Sequence, residues 1–225
     1  TNAADTDWID CQQALHAVGL KVENLLPDWL QARWRQKHPP LRRAKIRGSM
    51  PDFFRFPRTP HIAWLATGAP RDDKVLSPSE AEDILSGPVV LEEKLDGANL
   101  GFSVSPDGVL RAQNRGQYLP QPFHGQFARL GPWLAAHEDK LFDALGTHLV
   151  AFGEWCAARH SLDYATLPDW WMLFDVYDRQ EQRFWSTTRR NAWAAEMGFK
   201  TVPCLYTGEV TLDQLRDWVH AHDSQ

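Results

Sequence analysis

Long apolar runs are missing from this sequence. No stretch approaches the ~18 consecutive apolar residues of a membrane-spanning helix, so no membrane partner is expected. A charged-then-apolar leader is missing too, and nothing points to secretion. Cysteine is scarce: Cys11, Cys156 and Cys204 are odd in number, far apart and without a CxxC pair. That pattern argues against a zinc site and for a reducing, cytoplasmic compartment, with no metal held by protein ligands alone. Positive charge is not in excess either. The net charge of −5 is not that of a dedicated nucleic-acid binder, although a whole-chain value hides local patches.

The 225 residues, 43% of them hydrophobic, suffice for one substantial domain and an appendage. Eleven tryptophans are unusual. Trp170 and Trp171 sit beside apolar positions and are expected in the core, with an exposed minority available to stack on bases.

The chemistry gathers around EEKLDGANLGFSV (residues 92–104). Val89, Val90 and Leu91 form an apolar strand that emerges at Lys94, and Asp96 and Gly97 then turn the chain into a second strand. A lysine so placed is either a surface residue beside a turn or a fixed nucleophile. An amine, with a reference pKa of ~10.4, attacks near neutrality only where neighbouring cations or desolvation disfavour its charge. Strands at 99–105 and 109–114 flank Pro106, Asp107 and Gly108, a hairpin signal that carries Arg115 back toward Lys94. Arginine can grip a phosphate with two hydrogen bonds. Strand 149–155 holds Glu154 with Val150 and Phe152 on its apolar side, and that carboxylate either pairs with Arg159 or faces a cleft. In strand 171–177, Phe174 is either core or a stacking surface for a base.

Further elements are expected from local signals. Ser77, Pro78 and Glu80 start a helix to about Leu85. Segments 123–134 and 137–145 read as two helices, with His124 and His137 exposed. A helix from Thr187 or Thr188 runs to Met197 and ends at Gly198, a strand follows at 201–206, and Thr211 with Gln214 caps a helix over 212–221. Residues 1–49 hold two short amphipathic helices and a basic run at 33–47, either a solvated linker or an arm that tracks phosphates. With Met50 behind them and a chain opening on Thr, they are expected to be a helical, basic leader or the tail of a preceding domain.

KxDG with Glu93 before the lysine resembles motif I of the covalent nucleotidyltransferases: DNA ligases, RNA ligases and capping enzymes. Asn99, where DNA ligases and capping enzymes usually carry Arg, is similar to the RNA ligase 2 family. QNRG (113–116) resembles that family's arginine element, FGEW (152–155) its motif III and WMLFDVYD (171–178) its motif IIIa. FFRFPRTPH (53–61) is also similar to bacterial and phage members. The resemblance covers residues 52–225 and implies an α+β fold of twisted, mainly antiparallel sheets, with residues 50–225 a partial adenylation domain. It implies Lys94 as the acceptor of AMP from ATP with Mg²⁺, AMP transfer to an RNA 5′-phosphate, and sealing by a 3′-OH, as in RNA repair. Glu93 and Phe174 would then hold adenine, Glu154 the ribose or a metal-bound water, and Arg115 with Asn99 the phosphates or the metal's water shell. Asp96 and Gly97 complete the motif, and Arg58 and His61 are implied on a lobe that approaches the nucleotide. Motifs IV and V have no counterpart here. Gly208, Glu209 and Val210 have suitable residue types in the wrong order, so the chain is expected to be a fragment of a longer ligase, with an end-healing domain fused or nearby. A DNA ligase, a capping-type enzyme and a degenerate nucleotide- or RNA-binding module are the alternatives.

Overall fold

The computed structural model describes residues 53–65, 74–158, 164 and 166–221. The expected leader at 1–49, its basic run and Arg159 lie outside the described residues. Two compact units emerge, one of Pro57–Glu92 and Cys204–Ala221, the other of Phe53–Phe56 and Glu93–Pro203.

In the first unit, helix α1 (Pro78–Ile84) begins at the expected capping box: the Glu80 amide donates to the Ser77 hydroxyl, and the Ser77 amide to the Glu80 carboxylate at 2.7 Å. Strand β1 (Val89–Glu92) pairs antiparallel with β7 (Cys204–Gly208). Helix α4 (Leu212–Ala221) starts where predicted, the Thr211 amide donating to Gln214 and the Gln214 amide to the Thr211 hydroxyl. Ile62, Leu76, Ile84, Leu91 and Leu215 close this unit's core. Arg58 and His61 belong here, and the His61 amide donates to Lys74 O at 2.7 Å.

The second unit is built on a five-stranded antiparallel sheet of order β3-β2-β4-β5-β6: β2 Ala98–Val104, β3 Leu110–Gln113, β4 Leu149–Trp155, β5 Trp171–Asp178 and β6 Arg183–Phe184. The fold is α+β, as expected. Alternation along β2 divides its residues between two faces. Ala98, Leu100, Phe102 and Val104 enter a core with Leu130, Trp133, Leu141, Ala151, Trp155, Trp171 and Leu173, while Asn99, Gly101 and Ser103 take the other face. Gly153 is required on the core side, because a Cβ there would sit 2.3 Å from the Trp171 indole nitrogen, which donates to Leu100 O. The other face carries Phe152, and Phe54, Phe56, Phe184 and Tyr177 cluster around it. Helix α3 (Thr187–Met197) ends at Gly198 as predicted.

Four expectations change. One helix, α2 (Leu130–Leu145), replaces the two predicted across 123–145, preceded by a short 3₁₀ turn at Gly125–Phe127. Pro132 is tolerated only in a helix's first turn, where a missing N–H costs nothing, so α2 starts just before it and continues through Ala135 and Ala136. His137, expected exposed, is half-buried: its ring stacks 4.0 Å from Trp133 and its Nδ1 bonds Trp133 O. Trp170, expected in the core with Trp171, is 41% exposed. The strand expected at 201–206 spans Cys204–Gly208, with Thr201 making an isolated bridge to Leu173.

Candidate active site

Between β1 and β2 the chain leaves the first unit and enters the second at Glu93, whose amide donates to Pro203 O at 2.9 Å. Leu95 is buried, and its neighbour Lys94 is exposed. The next two amides are both held by side chains. Asp96 N–H donates to the Tyr164 hydroxyl at 2.6 Å, and Gly97 N–H donates to Glu154 Oε1 at 3.0 Å. Gly97 lies so close to β4 that a Cβ would sit 2.5 Å from Trp155 O. The segment following Lys94 is thus fixed by β4 beneath it and by the connector that leaves β4.

Glu154 lies on β4, opposite Asn99 of β2 in the register. Burial pushes its carboxyl up to about 7, against the pull of Lys94, the Gly97 amide and Arg115, with Asp96 adding to the rise. Glu154 therefore shares an electrostatic neighbourhood with Lys94, Asp96 and Arg115. Cys156 extends it: burial pushes this thiol up to about 12, and Glu154, Asp96 and Glu93 add to the rise. An unreactive, neutral thiol follows.

Arg115 follows the end of β3 and is near enough to Glu154 to act on its carboxyl. The Asn114 side chain accepts hydrogen bonds from the Gly116 and Gln117 amides at 2.8 and 2.9 Å, so the turn presents Arg115 outward. Asn99 Oδ1 is buried without a hydrogen-bond partner among the described residues. Ser103 Oγ and Gln113 Oε1, on the same face, share that condition, while Gln113 Nε2 donates to Phe54 O.

The sequence-derived residues Glu93, Lys94, Asp96, Gly97, Asn99, Arg115 and Glu154 thus converge. Phe174 stands further along this face: it is 4% exposed, its ring lies edge-to-face with Phe56 at 5.2 Å, and its carbonyl accepts from the buried Arg190. Tyr164 was missed by sequence reasoning. It sits in the connector ARHSLDYATLP between the two site strands, and a tyrosine there carries no periodic or motif signal.

The chemistry available is that of an exposed amine on a rigid segment, an arginine suited to phosphate, and a carboxyl poised between its two protonation states. Among the described residues no three His, Cys, Asp or Glu side chains form a metal cage. The oxygens of Asn99 and Asp96 suit a hard divalent ion that keeps most of its water.

Known proteins provide an independent comparison. No curated protein matches the chain. Among solved structures, a Naegleria gruberi RNA ligase with pyrophosphate is similar at 21% identity and TM-score 0.45, covering 56% of this chain and 38% of that one. The same organism's RNA ligase with AMP and manganese gives 19% and 0.48, covering 60% and 41%. An archaeal ATP-dependent RNA ligase gives 19% and 0.44, covering 60% and 34%. The chain thus spans about two fifths or less of the length of each. A family model for RNA ligase matches residues 87–224, more than half of the chain and all of the segment that builds the site. The chain belongs to the RNA ligase family.

Proposed function

We propose that this chain carries the lysine-adenylylating centre of an ATP-dependent RNA ligase. The observation that carries the reading is Lys94 exposed on a segment whose next two amides are bound by Tyr164 and Glu154, with Arg115 in the same charged neighbourhood.

The uncharged Lys94 Nζ attacks the α-phosphorus of ATP; a P–N bond forms, the bond to the β-phosphate's bridging oxygen breaks, and pyrophosphate leaves. One ammonium proton passes to solvent beforehand, and a second leaves the nitrogen once the P–N bond has formed. Arg115 and Asn99 hold the phosphates in line with the amine, where position contributes most to phosphoryl-type transfer. Glu93 and Phe174 take the adenine and Glu154 the ribose. Mg²⁺, held through water by Asn99 and Asp96, would neutralise charge on the phosphates. AMP then passes from Lys94 to an RNA 5′-phosphate, and a 3′-OH displaces it to form the phosphodiester. No residue of this chain is assigned to these later steps, and residues 50–225 form a partial adenylation domain. A cytoplasmic location and end-healing partner chemistry complete the reading.

Intact-mass measurement after incubation with ATP and Mg²⁺ tests it, on this chain and on a C-terminally extended one. The expected result is one added AMP, acid-labile, on the extended chain and none on its Lys94→Ala form. An adduct that survives that substitution, or none on the extended chain, overturns the proposal. GTP in place of ATP separates it from a capping-type enzyme, and a DNA nick in place of an RNA nick from a DNA ligase.

A further inference from the structure

Trp170 and Arg129 form a second feature at the Lys94 end of the sheet. Trp170 is 41% exposed, and no other tryptophan among the described residues is comparably open. An indole so placed forfeits burial that Trp133, Trp155 and Trp171 all obtain. It is nevertheless not loose. Its amide donates to Asp169 Oδ1 at 2.6 Å, its carbonyl accepts from the Cys156 amide at 2.7 Å, and the Trp155 ring meets it edge-on at 6.0 Å. Arg129, at the start of α2, lies over the indole with its guanidinium carbon 5.4 Å from the ring centre and reaches Ala157 O with one N–H at 3.4 Å. Among the described residues its other N–H groups carry no hydrogen bond.

The location follows from the register. Trp155 pairs with Ala98 on one side and Trp171 on the other, so Trp170 stands two strand spacings, about 10 Å, from the start of β2, to which the Lys94–Gly97 segment connects. A fixed aromatic surface with a partly unengaged guanidinium beside it suits one chemistry: a stacked base and its adjoining phosphate in a single strand.

We infer that Trp170 and Arg129 form a binding site for an unpaired nucleotide of the RNA strand, next to the adenylylation centre and separate from the ATP pocket. The inference rests on the RNA ligase reading for its choice of ligand. Trp170 supplies the stacking plane, and Arg129 both steadies that plane and contacts the phosphate.

The test is binding of a 5′-phosphorylated, fluorescently labelled single-stranded oligoribonucleotide to the whole chain, read by anisotropy. Losing one stacked base on truncation to alanine weakens binding roughly 5- to 150-fold, and that range is expected for Trp170→Ala. Trp170→Phe should keep most of the affinity. Arg129→Ala should weaken binding and flatten its salt dependence by about one phosphate contact. Melting curves of each variant separate a lost contact from a lost fold, and if Trp170→Ala melts early, the Phe and Arg129 variants decide. Unchanged affinity in folded Trp170→Ala and Arg129→Ala, or no binding by the unsubstituted chain, overturns the inference. Adduct formation by the unsubstituted extended chain is measured alongside. An adduct without a Trp170 effect sinks this site and leaves the ligase reading standing; a Trp170 effect without an adduct does the reverse.

Discussion

The two faces of the five-stranded sheet are finished differently. On the helix-covered face, apolar side chains interdigitate and the indole N–H groups have acceptors: Trp133 donates to Asp169, Trp155 to Gln126 O and Trp171 to Leu100 O. On the other face, Asn99, Ser103 and Gln113 each hold a buried oxygen with no partner among the described residues, and Glu154 is buried enough to resist ionisation. A polar atom left without a partner typically costs about 1–3 kcal/mol. Both faces bury apolar side chains, the second around Phe152, but only the second leaves these polar oxygens without partners among the described residues. The two sides of the same strands thus differ in how completely their polar atoms are satisfied.

The largest test of that difference is Trp171→Ala on the closed face. Emptying a site that is 1% exposed should cost about 3–5 kcal/mol in denaturant unfolding. A cost near zero would mean that this face does not stabilise the unit.

Glu154→Gln should move stability the other way. The carboxyl's folded pKa is raised from its ordinary 4.5 to about 7, so its contribution is fully present below about 4.5 and is lost as pH rises through 7. By pH 8 the ionised group costs up to about 3 kcal/mol, and the glutamine variant should escape that decline while losing adduct formation. Parallel stability curves for the two proteins between pH 5 and 8 would remove the carboxyl's assigned environment.

A smaller effect is expected for Tyr164→Phe. The Asp96 amide loses its acceptor, a change of about 1 kcal/mol, and the rate of adduct formation by the extended chain should fall several-fold while nucleotide affinity stays close to that of the parent. Equal rates would show that Glu154 alone fixes the segment. Smallest of all is Ser103→Ala. Removing a hydroxyl that has no partner among the described residues should be neutral or stabilising by about 1 kcal/mol in thermal unfolding. A clear loss of stability would reveal a partner and weaken the contrast.

Much of this was legible in the sequence. The lysine, the arginine turn and the strand carrying Glu154 were marked by residue types whose order and spacing are unusual, and the Pro106-Asp107-Gly108 signal located the hairpin of β2 and β3. Capping signals at Ser77 and Thr211 located their helices because such caps are local chemistry. What escaped depends on contacts far apart in the chain. Tyr164 meets Asp96 across 68 positions, and no periodicity reports that. Trp170 and Trp171 are neighbours of one residue type, and only their places relative to α2 decide that one is open and the other enclosed. The break expected between residues 134 and 137 failed because helix-forming alanines bridge it, whereas Pro132 limits only where the helix begins.

Gly153 has a consequence for how loss of function should be interpreted in this strand. Three successive residues serve opposite sides of one ribbon: Gly153 makes room for the Trp171 ring, Trp155 fills the interior, and Glu154 between them points the other way. A bulkier group at 153, or a smaller one at 155, tilts the ribbon and carries the carboxylate off its mark. An inactive protein altered at either position would therefore reveal a displaced neighbour, not a missing reactant.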